Sequence, residues 1–117
     1  MKEALEIANT ILSQIKALDF WALGSWGSHG YTAEKTGPLA DGAFKDEYIR
    51  GGGVTFKVKT PKYPTSTWVR VFLMGSDTYS IEIVNMRVNN YKTINSCQDV
   101  YCDQLVYVID SLIENKR

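Results

Sequence analysis

Cysteine, histidine and proline are scarce in this chain of 117 residues, which holds two, one and three of them. One histidine and two cysteines, Cys97 and Cys102, fall short of the regularly spaced ligand set of a structural zinc site. So few cysteines agree with a reducing compartment, and the expectation is a cytoplasmic protein. No apolar run approaches the ~20 residues that a membrane span requires. An excess of charge is also missing: 13 basic and 13 acidic residues give a formal net charge of zero. No global field therefore steers the chain toward nucleic acid or an anionic membrane, and any electrostatic site must be local. The opening MKEALEIANT carries Glu3 and Glu6 at helical spacing, where a secretory signal has a basic segment and an apolar core, so no signal peptide is expected.

What is present describes one ordinary domain spanning residues 1–117, with 44% hydrophobic and 22% charged content. A domain of this size buries about two-thirds of its unfolded surface, enough for a core without metal or disulfide staples. Ala4, Leu5, Ile7, Ala8, Ile11, Leu12, Ile15 and Leu18 share one side of a helical wheel, which predicts an amphipathic helix over about 2–18. Phe20 to Leu23 reads as a brief strand entering a glycine loop. Residues 27–52 read as an insertion of loop and short helix, the helix capped by Asp41 and ending at Gly51.

The middle of the chain reads as a meander. Val54, Phe56 and Val58 alternate with polar residues, and after the loop at 61–64 a strand follows in which both faces are apolar. Gly75, Ser76 and Asp77 suit a turn, Thr78 to Val88 a longer strand, and Asn89–Asn90 a tight hairpin returning through Tyr91 to Ile94. Ser96 and Asp99 resemble a capping box, which predicts a helix over about 97–115. Its apolar arc would include Tyr101, Cys102, Leu105, Ile109 and Ile113. Asp99, Asp103, Asp110 and Glu114 would form an acidic stripe opposite, and Lys116 and Arg117 would complement the helix dipole.

GGGVTFKV at 51–58, DTYSIEI at 77–83 and DVYCDQL at 99–105, in that order, resemble segments of a group of small bacteriophage, prophage and mobile-element proteins. The resemblance covers about two-thirds of the chain and implies a helix, meander, helix order and a phage or mobile-element origin. It implies no reaction, cofactor or catalytic residue. The chain departs from that group at GSWGSHGY, where a Gly-Ala-Lys-Asn-like turn is usual.

Three other strings carry little chemistry. Gly24 to Gly30 lacks the glycine pair of a nucleophile elbow around either Ser25 or Ser28, and His29 is too close in sequence to Ser28 to act as its base. Cys97 and Cys102 would lie on different sides of a helix and cannot pair there; Cys102 reads as a core residue and Cys97 as a helix start. Gly51 to Gly53 precede a strand, where a phosphate loop precedes a helix.

The sheet face away from the helices is more informative. Lys57, Lys59, Trp68, Arg70 and Phe72 share it, and cations interleaved with aromatic rings suit either a protein partner or single-stranded nucleic acid. The alternative is that residues 27–50 fold over this face and bury Trp68 and Phe72. The acidic residues likewise read either as a solvated face or as a contact for a basic protein. The expectation is an α+β domain: an N-terminal helix, a four- or five-stranded antiparallel β-meander and a C-terminal helix, both helices on one sheet face. The expected function is that of a non-enzymatic phage or mobile-element accessory protein. It would bind and modulate a protein partner such as a host defence nuclease, through Lys57, Lys59, Trp68, Arg70, Phe72, Asp99, Asp103, Asp110 and Glu114. No catalytic residue, metal or cofactor is expected, and no membrane partner. The alternative is a small single-stranded nucleic-acid-binding module on an open sheet face, and an uncovered edge or face would also permit a homodimer.

Overall fold

A computed structural model describes residues 2–39, 42–60, 63, 65–74, 77–87 and 90–114, with backbone alone at 2–4, 87, 90 and 114. The proposed cap Asp41, the turn residues Gly75 and Ser76, Asn89, Lys116 and Arg117, and the side chain of Glu114 lie outside the described residues. The chain is α+β, as its periodicity predicts: helix α1 (Lys2–Leu18), an antiparallel five-stranded sheet and helix α3 (Leu105–Glu114).

Strands β4 (Gly52–Val58), β5 (Thr67–Leu73), β6 (Tyr79–Arg87) and β7 (Asn90–Val100) are a sequential meander, and β1 (His29–Glu34) adds to the open side of β4. Alternation sends Val54, Phe56, Val58, Val69, Val71, Ile81 and Ile83 to one face. There they meet Ala8, Ile11 and Ile15 of α1 and Leu105, Ile109, Leu112 and Ile113 of α3 in one core, so both helices cover the same face. The buried stripe of α1 is narrower than its wheel suggests, since Leu5 and Leu18 are exposed. Close backbone contact needs glycine at Gly53, where an added Cβ would fall 2.1 Å from the Val71 carbonyl oxygen.

Several local expectations are corrected. Phe20 to Leu23 is not a strand: a single helical turn, α2 (Ala22–Ser25), packs Ala22 and Leu23 into the core. The described residues of 27–52 hold no helix. They contain β1 and a small hairpin of β2 (Gly37–Pro38) paired with β3 (Tyr48–Ile49). Left-handed backbone at Gly42 and Asp46 (φ 90° and 74°) is incompatible with the helix expected between Asp41 and Gly51. The C-terminal helix starts eight residues later than the cysteine at which it was expected. Cys97 and Asp99 belong to strand β7, and a 3-10 turn over Cys102–Gln104 leads into α3. Its entry is secured by Gln104, whose side-chain Oε1 accepts the Tyr101 backbone N–H (3.2 Å) while its own N–H donates to the Tyr101 carbonyl (2.9 Å). Cys97 is half-buried against the core and Cys102 is exposed, the reverse of the expected assignment; both are free thiols.

Both edge strands are irregular. Between His29 and Thr32, β1 carries one more residue than β4, and Gly30 there has φ 66°. Strand β7 carries an extra residue twice, opposite the Tyr79–Ile81 and Ile83–Val84 steps of β6, and Asp99 adopts φ 58° in the first of them.

Candidate functional site

Part of the outer sheet face is covered by the hairpin. Leu39, Phe44 and Ile49 close over Phe72, with Met74 beside them, and Phe72 is fully buried. Next to this small apolar cluster lies a buried polar one. The Glu82 carboxylate, 1% exposed, accepts hydrogen bonds from Arg70 Nη1 (3.4 Å), Tyr91 Oη (3.3 Å), Thr93 Oγ1 (2.5 Å) and the Ala43 backbone N–H (2.7 Å). Arg70 also bonds Tyr91 Oη and stacks over Phe72, its guanidinium carbon 4.9 Å from the ring centre. A buried carboxylate needs such partners, and one of them is supplied by the tip of the hairpin itself.

Of the two readings of this face, the covered one holds for Phe72 and in part for Trp68, and the open aromatic platform is corrected. Arg70 and Phe72 do lie on one face with Lys57 and Trp68, but they are turned to internal contacts beneath residues 37–49. Lys57 and Trp68 stay half-buried beside the covered area, with the ammonium 5.6 Å from the indole, and Lys59 is exposed. The acidic stripe is corrected as well. Asp99 sits in a bulge of β7, Asp103 in the 3-10 turn and Asp110 on α3, so the carboxylates do not line one helix.

Asp103 and Asp110 do come together, in a setting the sequence pattern did not show. They line a cleft of about 550 Å³ between the α1–α2 corner and α3, with Leu18, Asp19, Ala22, Ser25, Trp26, Val106 and Tyr107. The walls are laid down by three turns of chain. Asp19 and Ala22 flank the corner, where Asp19 Oδ1 accepts the Trp21 backbone N–H (3.0 Å) in an Asx turn that leads into α2. Trp26, 1% exposed, lies with its ring parallel to Phe56 (6.5 Å between centres) and donates its indole N–H to Asp110 Oδ1 (3.1 Å). On the opposite wall, Asp103, Val106, Tyr107 and Asp110 recur at three- and four-residue spacing, so they share one side of the turn and helix.

The lining holds three carboxylates and no basic side chain. Among the described residues, no ion pair neutralises Asp19, Asp103 or Asp110. The surroundings are apolar and aromatic. Tyr107 is 74% exposed, and the corner carries Phe20 and Trp21 at 69% and 75%, their rings in edge-to-face contact at 5.1 Å. Unburied aromatic rings beside uncompensated charge suit an interface better than a solvated surface. A second hollow of about 340 Å³, lined by Glu6, Ile7, Thr36, Arg50 and Gly51, carries one charge of each sign.

Asp103 and Asp110 were legible as candidates from their charge. Asp19, Phe20, Trp21, Trp26 and Tyr107 do not stand out in the sequence, because Phe20 to Leu23 has the pattern of a short strand and Trp26 lies in a glycine-rich string. One usable signal is the Phe20–Trp21 pair directly after a helix whose apolar stripe has already run to Leu18. No protein-family model, curated protein or solved structure matches the chain.

Proposed function

We propose that this chain works by binding a protein partner, and that the cleft between the α1–α2 corner and α3 is its docking surface. The observation that carries the reading is the joining of three carboxylates, Asp19, Asp103 and Asp110, which form no ion pair among the described residues, to exposed Phe20, Trp21 and Tyr107. The rings offer apolar area that is held in place by the fold, and the carboxylates select a basic partner and speed its approach. The three segments resembling phage and mobile-element proteins support an accessory role in such an element. A host nuclease is a fitting target, since the cations that meet phosphate in a nuclease also complement a carboxylate-lined cleft.

The nucleic-acid reading is weaker. Its platform has lost Arg70 and Phe72 to the covering hairpin, which leaves Lys57, Lys59 and a half-buried Trp68.

The test is nuclease-treated capture from host lysate with four baits: the native chain, Asp103→Lys, Trp21→Ala and Lys57→Ala. The first two variants alter exposed side chains of the cleft and its rim and should lose the partner, while Lys57→Ala should retain it. A partner that survives both cleft changes, or that disappears with nuclease treatment, would sink the reading.

A further inference from the structure

The cleft has a feature that general attraction for cations does not require. Asp110 is held by a hydrogen bond from an indole that is itself buried and stacked on the core, so its carboxylate cannot turn freely. Tyr107 lies three residues before Asp110 and four after Asp103, which sets an exposed ring between two carboxylates. Leu18, Ala22 and Val106 supply walls that give a bound ammonium no replacement for its water.

We propose that the docking partner anchors in this cleft through an arginine, its guanidinium lying flat against Tyr107 and bonded to Asp110, with Asp103 as the second anion. The inference rests on the docking reading above and names the chemistry of the partner. A guanidinium is planar, weakly hydrated and forked. It stacks on a ring and meets a fixed carboxylate side-on at the same time, while its methylene stem covers apolar wall. Lysine presents a compact, strongly hydrated charge that gains nothing from the fixed plane of Asp110 or from the face of Tyr107. The cleft therefore discriminates between two side chains of equal charge.

The experiment is a titration of the ¹⁵N-labelled full chain with three blocked tripeptides, Leu-Arg-Leu, Leu-Lys-Leu and Leu-citrulline-Leu. It is read at the Trp26 indole N–H signal and the Tyr107 ring signals. Citrulline keeps the shape of arginine without its charge. The arginine peptide should move these signals at concentrations roughly fivefold lower than the lysine peptide, with no movement by citrulline. Asp110→Asn should abolish the arginine preference and still fold, because the asparagine carbonyl oxygen accepts the Trp26 bond. Equal response to arginine and lysine would overturn the arginine assignment and leave docking of a basic segment standing. If neither cationic peptide moves the cleft signals, the docking reading falls with it.

Discussion

Beneath α1 and α3, the inner sheet face meets the helices through side chains such as Phe56, Val71, Ile83, Ile11 and Ile109, and the contact is wide and apolar. Beneath the hairpin, the outer face is closed by Leu39, Phe44 and Ile49 over Phe72, beside Glu82 and Arg70. These are the two buried charged side chains among the described residues, and both lie on the outer face. One sheet is thus covered in two physically different ways. A broad apolar contact removes much surface from water and tolerates no polar compromise. A small hairpin buries too little for that, and it is tied to the sheet by a directional bond from the Ala43 backbone N–H to a carboxylate below it. A buried ion pair is poor at adding stability over an apolar substitute and good at specifying one arrangement. The outer face is therefore precise in geometry and modest in strength.

The largest test of that contrast is Phe56→Ala. Phe56 is fully buried between the layers and stacked on Trp26, so its loss should cost about 3–5 kcal/mol in urea unfolding, with the whole transition shifted. Phe44→Ala, in the hairpin, should cost about 2 kcal/mol, because the hairpin can detach locally and cap the loss. Equal losses at the two sites would show that both faces unfold as one unit and would break the comparison. Gly42→Ala sharpens it. Gly42 has φ 90°, and a Cβ there would lie 2.5 Å from Glu82 Oε2, so the change should cost about 1–3 kcal/mol. The expected readout is faster amide exchange at Ala43 while Ile83 in the core stays protected.

The inner face should also respond to alkali. Burial pushes the Tyr79 phenol above its ordinary value of 10.0, so the folded chain favours the neutral form. This contribution is fully present below about pH 10 and is lost as the pH rises further, because the unfolded chain gives up its proton first. Tyr79→Phe should flatten that alkaline fall in a stability–pH series. The smallest effect belongs to Lys57→Ala. It removes a half-exposed cation over Trp68 and should cost under about 1 kcal/mol by the same urea assay.

The contrast between faces also explains what could be read from the residues. Helix α1 and strands β4 to β6 were legible because each meets the core with one regular set of apolar side chains. Strand β5 displayed apolar residues on both faces, and the hairpin over Phe72 is the reason. Strand β1 escapes the pattern and β7 is read only over Tyr91 to Ile94: both are edges with few buried side chains, and their bulges interrupt what alternation HGYTAE and NYKTINSCQDV possess. The misplaced start of the C-terminal helix has the same origin. The Ser96–Asp99 pair has the look of a helix start, whereas Cys97 and Val100 pair with Ile81 and Tyr79 of β6, with the left-handed Asp99 in the bulge between them. The site was half legible. Charge pointed to Asp103 and Asp110, but their meeting with Asp19 and Trp26 depends on contacts across more than 80 residues of chain, which local spacing does not encode.

The irregular edges bear on how this protein can meet others. A strand added to β1 or β7 would have to match a ladder whose donors and acceptors fall out of step at each bulge, so backbone pairing could extend only a few residues before breaking. The sheet is in effect finished on both sides. Growth into a continuous ribbon with a second copy, and the fibrous deposits that such growth begins, are both disfavoured. The proposed docking at the corner cleft, which works through side chains, needs no free sheet edge.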